Sequence, residues 1–159
     1  MSTVGERERA TQDRVLACLH NDLGYTRIGN LSDRPDNQNV DHDRLSAWLR
    51  RRGYEDHLIQ RALHALDRAR AVGSARSLYE ANEDVYRQLR YGIGVHPGAG
   101  QQTETVKLID WEHPRDNEFT VAEEITVGGH YSKRPDIVLY VNGIALAVLE
   151  LKRSSVSVT

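Results

Sequence analysis

The stretch that decides the fold is Arg134-Pro135-Asp136-Ile137-Val138-Leu139-Tyr140-Val141-Asn142-Gly143-Ile144-Ala145-Leu146-Ala147-Val148-Leu149-Glu150-Leu151-Lys152. Two apolar runs flank Asn142-Gly143, a pair that readily takes the positive φ angles of a tight hairpin turn. The pattern predicts strands over 136–141 and 144–152. Glu150 and Lys152 are two apart, so they share a face. Charges beside such apolar strands are costly to desolvate unless something pairs them. A divalent cation would pair the carboxylates of Asp136 and Glu150, and Mg²⁺ favours one or two carboxylates together with waters and phosphate oxygens.

Register decides whether Asp136 can join that site. A two-residue Asn142-Gly143 turn pairs Val141 with Ile144, sets Asp136 opposite Leu149 and turns it away from Glu150. A three-residue loop, with Gly143 left-handed as a bulge, pairs Tyr140 with Ile144 and sets Asp136 opposite Val148. Asp136 then lies on the face of Glu150 and Lys152. A shared metal site therefore predicts the bulged loop.

The expected roles follow from chemistry. Asp136 and Glu150 hold the metal, and the carbonyl of Leu151 adds a ligand. Lys152 orients or deprotonates a water, or stabilises developing negative charge. A lysine can release its proton when burial perturbs it, whereas an arginine cannot. That matters in a chain with 18 Arg and only 3 Lys, although genomic composition bias accounts equally for the ratio. From spacing alone, surface ion pairs at strand ends stand as an equal alternative to the metal site. The apolar setting and the preceding Arg134-Pro135 tilt the balance somewhat toward the site.

Upstream, the period changes to helical. Val15, Leu16, Leu19 and Leu23 predict a first helix stopped by Gly24. Residues 29–42 read as a polar loop. Further helices are expected over 43–52, with Leu45, Trp48 and Leu49 inward, over 55–72, and over 75–90, with Leu78, Val85, Tyr86 and Leu89 inward. Arg50, Arg51 and Arg52 are read as a solvated helix end complementing the dipole, rather than as phosphate contacts. The glycine-rich run 91–100 breaks the helical part, and strands are expected over 103–109 and 119–127 ahead of the hairpin. Helices followed by strands is an α+β pattern. The last strand is apolar throughout and reads as buried on both faces. A central strand followed by only SSVSVT suggests an N-terminal piece of a longer protein, with 1–159 forming one domain.

Composition sets bounds on this reading. The chain has 159 residues, 39% hydrophobic and 28% charged, which suits one soluble domain. A net charge of −2 argues against a protein that merely coats DNA. The single cysteine, Cys18, forbids an internal disulfide. No apolar run approaches membrane length and no secretory leader is visible, so a cytoplasmic protein is expected.

The segment RPDIVLYVNGIALAVLELK resembles the PD-(D/E)xK nuclease motif, with Pro135-Asp136 and Glu150-Leu151-Lys152 as its halves. Nearly the whole chain looks like the N-terminal nuclease domain of the type I restriction endonuclease R (HsdR-type) subunit. TQDRVLACLHNDLGY, SLYEANEDVYRQLRYGIGV and ETVKLIDWEHPRDNEFTVAEEITV carry the rest of the likeness. The resemblance implies a restriction-endonuclease-like core, helical N-terminal part first and mixed β-sheet after. It implies cleavage of double-stranded DNA with Mg²⁺, for which Mn²⁺ substitutes, and partnership with modification and specificity subunits. ATP would serve only motor domains further along such a subunit, since no phosphate loop occurs here. The family's Gln-x-x-x-Tyr element would lie beyond Thr159. Related nucleases place another acidic residue on the first helix; Asp13 or an earlier glutamate is the candidate, with a surface capping role for Asp13 favoured. The competing functional reading is a catalytically idle domain of the same fold that docks DNA or partner subunits.

Other candidates are weaker. Cys18 with His20, and His57 with His64, fall short of a four-ligand zinc pattern. Gly92, Gly94, Gly98 and Gly100 read as a loop or hairpin turn rather than a phosphate cradle. Trp48 reads as core, and Trp111 stands between base stacking and packing.

Overall fold

The computed structural model describes residues 4–30, 39–73, 76–98, 100–123 and 135–151, with side chains from residue 9. In chain order the elements are α1 (Val4–Asn21), β1 (Thr26–Asn30), α2 (His42–Arg51), α3 (Asp56–Arg70), α4 (Leu78–Tyr91), β2 (Ile93–Val95), β3 (Glu104–Val106), a 3₁₀ turn (Pro114–Asp116), β4 (Phe119–Glu123), β5 (Ile137–Val141) and β6 (Ile144–Leu149). They divide into two compact units, one of Met1–Asp41 with Glu118–Thr159 and one of His42–Asn117.

The first unit is a four-stranded mixed sheet in the order β1-β4-β5-β6. β1 runs parallel to β4, and the other neighbours are antiparallel. Leu16 and Leu19 of α1 pack against Val121 and Ile137, with Leu149 and Leu151 at the margin. Ala122, Val138 and Tyr140 pack on one another, with Ile28 and Ala145 beside them. Burial on both faces explains the unbroken apolar sequence of β5.

Several expectations are corrected here. β1 is not among the expected strands, and its last two residues, Gly29 and Asn30, fall at the start of the expected loop; TRIGN has no apolar alternation and owes its strand form to pairing with β4. Leu23 is not core: the helix ends at Asn21 and Leu23 is 62% exposed. Gly24 does turn the chain (φ 75°), and the Tyr25 N–H bonds back to the Leu19 carbonyl at 2.9 Å. Among the described residues β6 lies at the edge of the sheet, with Leu146 and Val148 46% and 55% exposed, so its apolar run is not buried on both faces there. Only its start is covered: the Asp41 N–H donates to Gly143 and the Ala145 N–H to Asn39. The part of the predicted strand over 119–127 that follows Glu123 lies outside the described residues.

The second unit holds α2, α3, α4 and the β2-β3 hairpin. Leu45, Trp48, Leu49, Leu58, Ile59, Leu63 and Leu66 are buried as their helical spacing predicts. α4 departs from expectation, since Leu78 and Tyr86 are 64% and 61% exposed and Ala81 is its buried residue. Its start is set by a capping box between Ser77 and Glu80. β2 lies inside the glycine-rich run, where exposed Gly94 alternates with buried Ile93 and Val95.

The β5-β6 turn is two residues long. Asn142 (φ 53°) and Gly143 (φ 83°) both take positive φ, as a type I′ turn requires. Asn142 is fully buried; its N–H donates to the Glu118 carbonyl and its Oδ1 accepts from the Glu118 N–H at 2.7 Å. Asn142→Ala removes that acceptor and the polar side chain that makes asparagine tolerant of positive φ. A loss of about 1–3 kcal/mol in urea unfolding is expected, with Asn142→Asp losing less.

Candidate functional site

Asp136 stands one residue before β5 and Glu150 one residue after β6. The hairpin begins in the register that would separate them, with Val141 paired to Ile144 and Tyr140 to Ala145. The register then slips: Leu139 pairs with Ala147, Val138 with Val148 and Ile137 with Leu149. Leu146 is the extra residue of this β-bulge. One more step in that register sets Asp136 across from Glu150, and directly opposed residues share a face. The expected bulge at Gly143 is thus corrected. The turn is regular, the extra residue lies inside β6, and Val148 pairs with Val138, so the register carried one step past Ile137 and Leu149 would put Asp136 across from Glu150 rather than Val148.

The carboxylate of Asp136 is held from the neighbouring strand end, its Oδ2 accepting the Leu151 N–H at 2.6 Å. Its main-chain carbonyl accepts the Nε2 of Gln12 at 3.2 Å. Gln12 is 7% exposed and sits one turn before Leu16 on the buried stripe of α1. Sequence reading missed it, although the signal was there: a polar residue in line with Leu16 and Leu19 must find a partner when buried. Lys152 and Arg134 lie outside the described residues.

Asp13 is 54% exposed and paired with Arg9 at 3.4 Å. It lies in the interior of α1, which starts at Val4, so it caps nothing. A further acidic group went unnoticed in the sequence. Glu123, at the end of β4, is buried and gripped by Arg27 at 2.5 Å and Arg9 at 3.2 Å. Glu123 pairs with Ile137, so it belongs to the α1 face, where two guanidiniums neutralise it.

One other acidic cluster has metal-like spacing. Asp110, His113 and Asp116 bring ligand atoms within 4.8 Å of one another. A cation already occupies that position: Arg52 donates to Asp110 at 2.6 Å and to Asp116 at 3.4 Å. Asp110 also accepts the N–H groups of Glu112 and His113, and Asn117 ties the same turn together. This is a neutralised structural turn, and Arg52, exposed just beyond the end of α2 as expected, also pairs with it. Arg50 likewise pairs with Asp56. The suggested zinc pairs are not assembled among the described residues: Cys18 is exposed, and His20 bonds the Tyr25 carbonyl. Trp111 donates to the Leu89 carbonyl and carries Arg90 over its ring.

An α-helix backing a mixed sheet, with acidic residues opposed at two adjacent strand ends, defines an α+β domain with a candidate cation site. Residues 5–159 match the family described as type I restriction enzyme R protein N terminus, and the chain belongs to that family. Among curated proteins, the putative type I restriction enzyme MjaIXP endonuclease subunit of Methanocaldococcus jannaschii is 43% identical over 56 residues, 33% of this chain and 5% of the relative. The type I restriction enzyme HindI endonuclease subunit of Haemophilus influenzae is 29% identical over 99 residues, 60% of this chain and 9% of the relative. The putative MjaVIIIP endonuclease subunit of Methanocaldococcus jannaschii is 39% identical over 103 residues, 63% and 9%. The chain spans less than a tenth of the length of these relatives. No solved structure matches it. Among the described residues no helix is long and apolar enough to cross a membrane.

The Asp110 turn makes stability depend on acid. The His113 N–H, then the Glu112 N–H and the Arg52 charge, hold its carboxyl below the usual 3.8. A depressed folded value stabilises the fold above the unfolded value and ceases to do so as pH falls through the folded one. Both tryptophans lie in the second unit, so their fluorescence reports on it. Acid titration below pH 3.8 should show that unit losing stability. Asp110→Asn should flatten this dependence and lower the melting temperature at pH 7.

Proposed function

We propose that this chain carries the Mg²⁺-dependent phosphodiester-cleaving centre of a type I restriction R protein, acting on double-stranded DNA through Asp136, Glu150 and Lys152 on a PD-(D/E)xK-type core. The observation that carries the reading is the opposition of Asp136 and Glu150 produced by the Leu146 bulge, with Asp136 tied to the Leu151 amide. The donor set fits the ion. Two carboxylates supply hard oxygen ligands, and no cationic partner is recorded for either among the described residues, unlike Glu123 and Asp110. In extended backbone the N–H and C=O of one residue point to the same side, so a continuation of β6 would direct the Leu151 carbonyl toward Asp136 as a third ligand.

When bound, the ion would polarise the scissile phosphate and make a water more acidic. The chain's own groups do the rest. Asp136 and Glu150 orient the site, Gln12 and the Leu151 amide fix Asp136, and Lys152 moves a proton or meets negative charge on the phosphate. Mn²⁺ would replace Mg²⁺ because it accepts the same oxygen donors. In the assembled enzyme, modification and specificity subunits would choose the DNA site and ATP would drive motor domains elsewhere in the subunit, in the cytoplasm. The isolated chain should bind DNA weakly and cut it poorly.

Asp136→Asn should abolish Mn²⁺ binding measured by calorimetry. Lys152→Ala, placed in the complete restriction complex, should slow cleavage by about a hundredfold or more while ATP hydrolysis and DNA binding persist. Undiminished cleavage by both variants would instead identify an idle docking domain. Gln12→Leu should fold normally and weaken Mn²⁺ binding by roughly 10–100-fold, as loss of a ligand's supporting contact does.

A further inference from the structure

The second unit contains a groove of about 400 Å³ between α3 and β2, lined by Gln60, Arg61, His64, Ala65, Arg68, Ile93, Gly94, Val95 and His96. Ile93 and Val95 are buried, while the basic side chains are exposed. Gly94 contributes no side chain to the lining.

No carboxylate pairs with its arginines among the described residues, in contrast to several arginines elsewhere. Arg9, Arg27, Arg50, Arg52, Arg70, Arg76 and Arg87 each pair with a carboxylate. Arg61 donates to the neutral carbonyl of His96, and Arg68 has no carboxylate partner among the described residues. None of the lining residues is acidic. Asp67, next to the groove on α3, is engaged by His42 and Arg70.

We propose that this groove binds the phosphodiester backbone of duplex DNA. Arg61, His64 and Arg68 follow at three- and four-residue steps and form one stripe along α3. Seven residues of helix separate the arginines by about 10 Å. That is more than one phosphate ion spans, which suits two phosphates of a nucleic-acid backbone better than one free anion. Guanidinium forks match phosphate oxygens, and the lining has no Trp, Tyr or Phe on which a base would stack. The contact would therefore be sequence-independent and would position the duplex. It shares only its ligand class with the proposed nuclease centre.

The test is fluorescence anisotropy of the 159-residue chain with a labelled mixed-sequence duplex of about 30 base pairs, in EDTA, from 20 to 200 mM KCl. Arg68→Ala should reduce the slope of log affinity against log salt by about one. Arg68→Glu should weaken binding at least tenfold at 50 mM KCl, with an unchanged circular-dichroism melt. Arg87→Ala, which only breaks an exposed pair with Glu83, should leave both quantities unchanged. An unaltered salt slope in Arg68→Ala would overturn the proposal. So would displacement of the duplex by inorganic phosphate at matched ionic strength, which marks a free-anion site, or equally tight binding of polyglutamate, which marks an acidic protein partner. Asp136→Asn separates the two readings: it should leave anisotropy intact, whatever it does to Mn²⁺ binding.

Discussion

Side chains alternate faces along a strand, so inserting one residue transfers everything beyond it to the other side of the sheet. Leu146 is such a residue. Between the Asn142-Gly143 turn and the strand end it shifts the β5-β6 register by one, so that Ile137 pairs with Leu149 and the next step of that register would set Asp136 across from Glu150. A regular hairpin with the same turn would have set Asp136 against Leu149. The opposed carboxylates, the bond from the Leu151 amide and the chemistry proposed for them all depend on that slip.

The groups around this point are held from different parts of the chain. α1 supplies the apolar stripe that seats the sheet and, in line with it, the Gln12 amide that fixes the Asp136 carbonyl. Buried Asn142 bonds Glu118 at the other end of the hairpin. A buried polar side chain with a main-chain partner costs little in stability and fixes geometry. These two amides tie β5 at each end.

Charge is arranged by the same economy of partners. Acidic groups that are buried or clustered mostly have guanidinium partners: Glu123 has Arg9 and Arg27, and Asp110 and Asp116 share Arg52. Basic side chains with no carboxylate partner among the described residues form a stripe along α3, at Arg61, His64 and Arg68, where the adjacent Asp67 is taken up by His42 and Arg70. A net charge of −2 therefore conceals a local basic stripe, which is how a protein without a global basic field can still attract a polyanion.

Local pattern in the sequence was sufficient for the three helices of the second unit, for the strands on both sides of Asn142-Gly143, and for the α+β class, because helical and strand periods depend on nearest neighbours along the chain. Family membership was legible too, from long runs of residues rather than from three charges. What lay beyond reach depended on distant contacts. β1 has no pattern of its own and exists because β4 offers it hydrogen bonds. Leu78 and Tyr86 face solvent, while the covered side of α4 carries Ala81, Val85, Gln88 and Leu89. The bulge at Leu146 leaves no mark in an apolar run, and the partner of Gln12 is 124 residues away. Residue identity along the chain supplies the chemical groups, but which of them meet is decided by register and packing, and those exist only once the whole sheet has assembled.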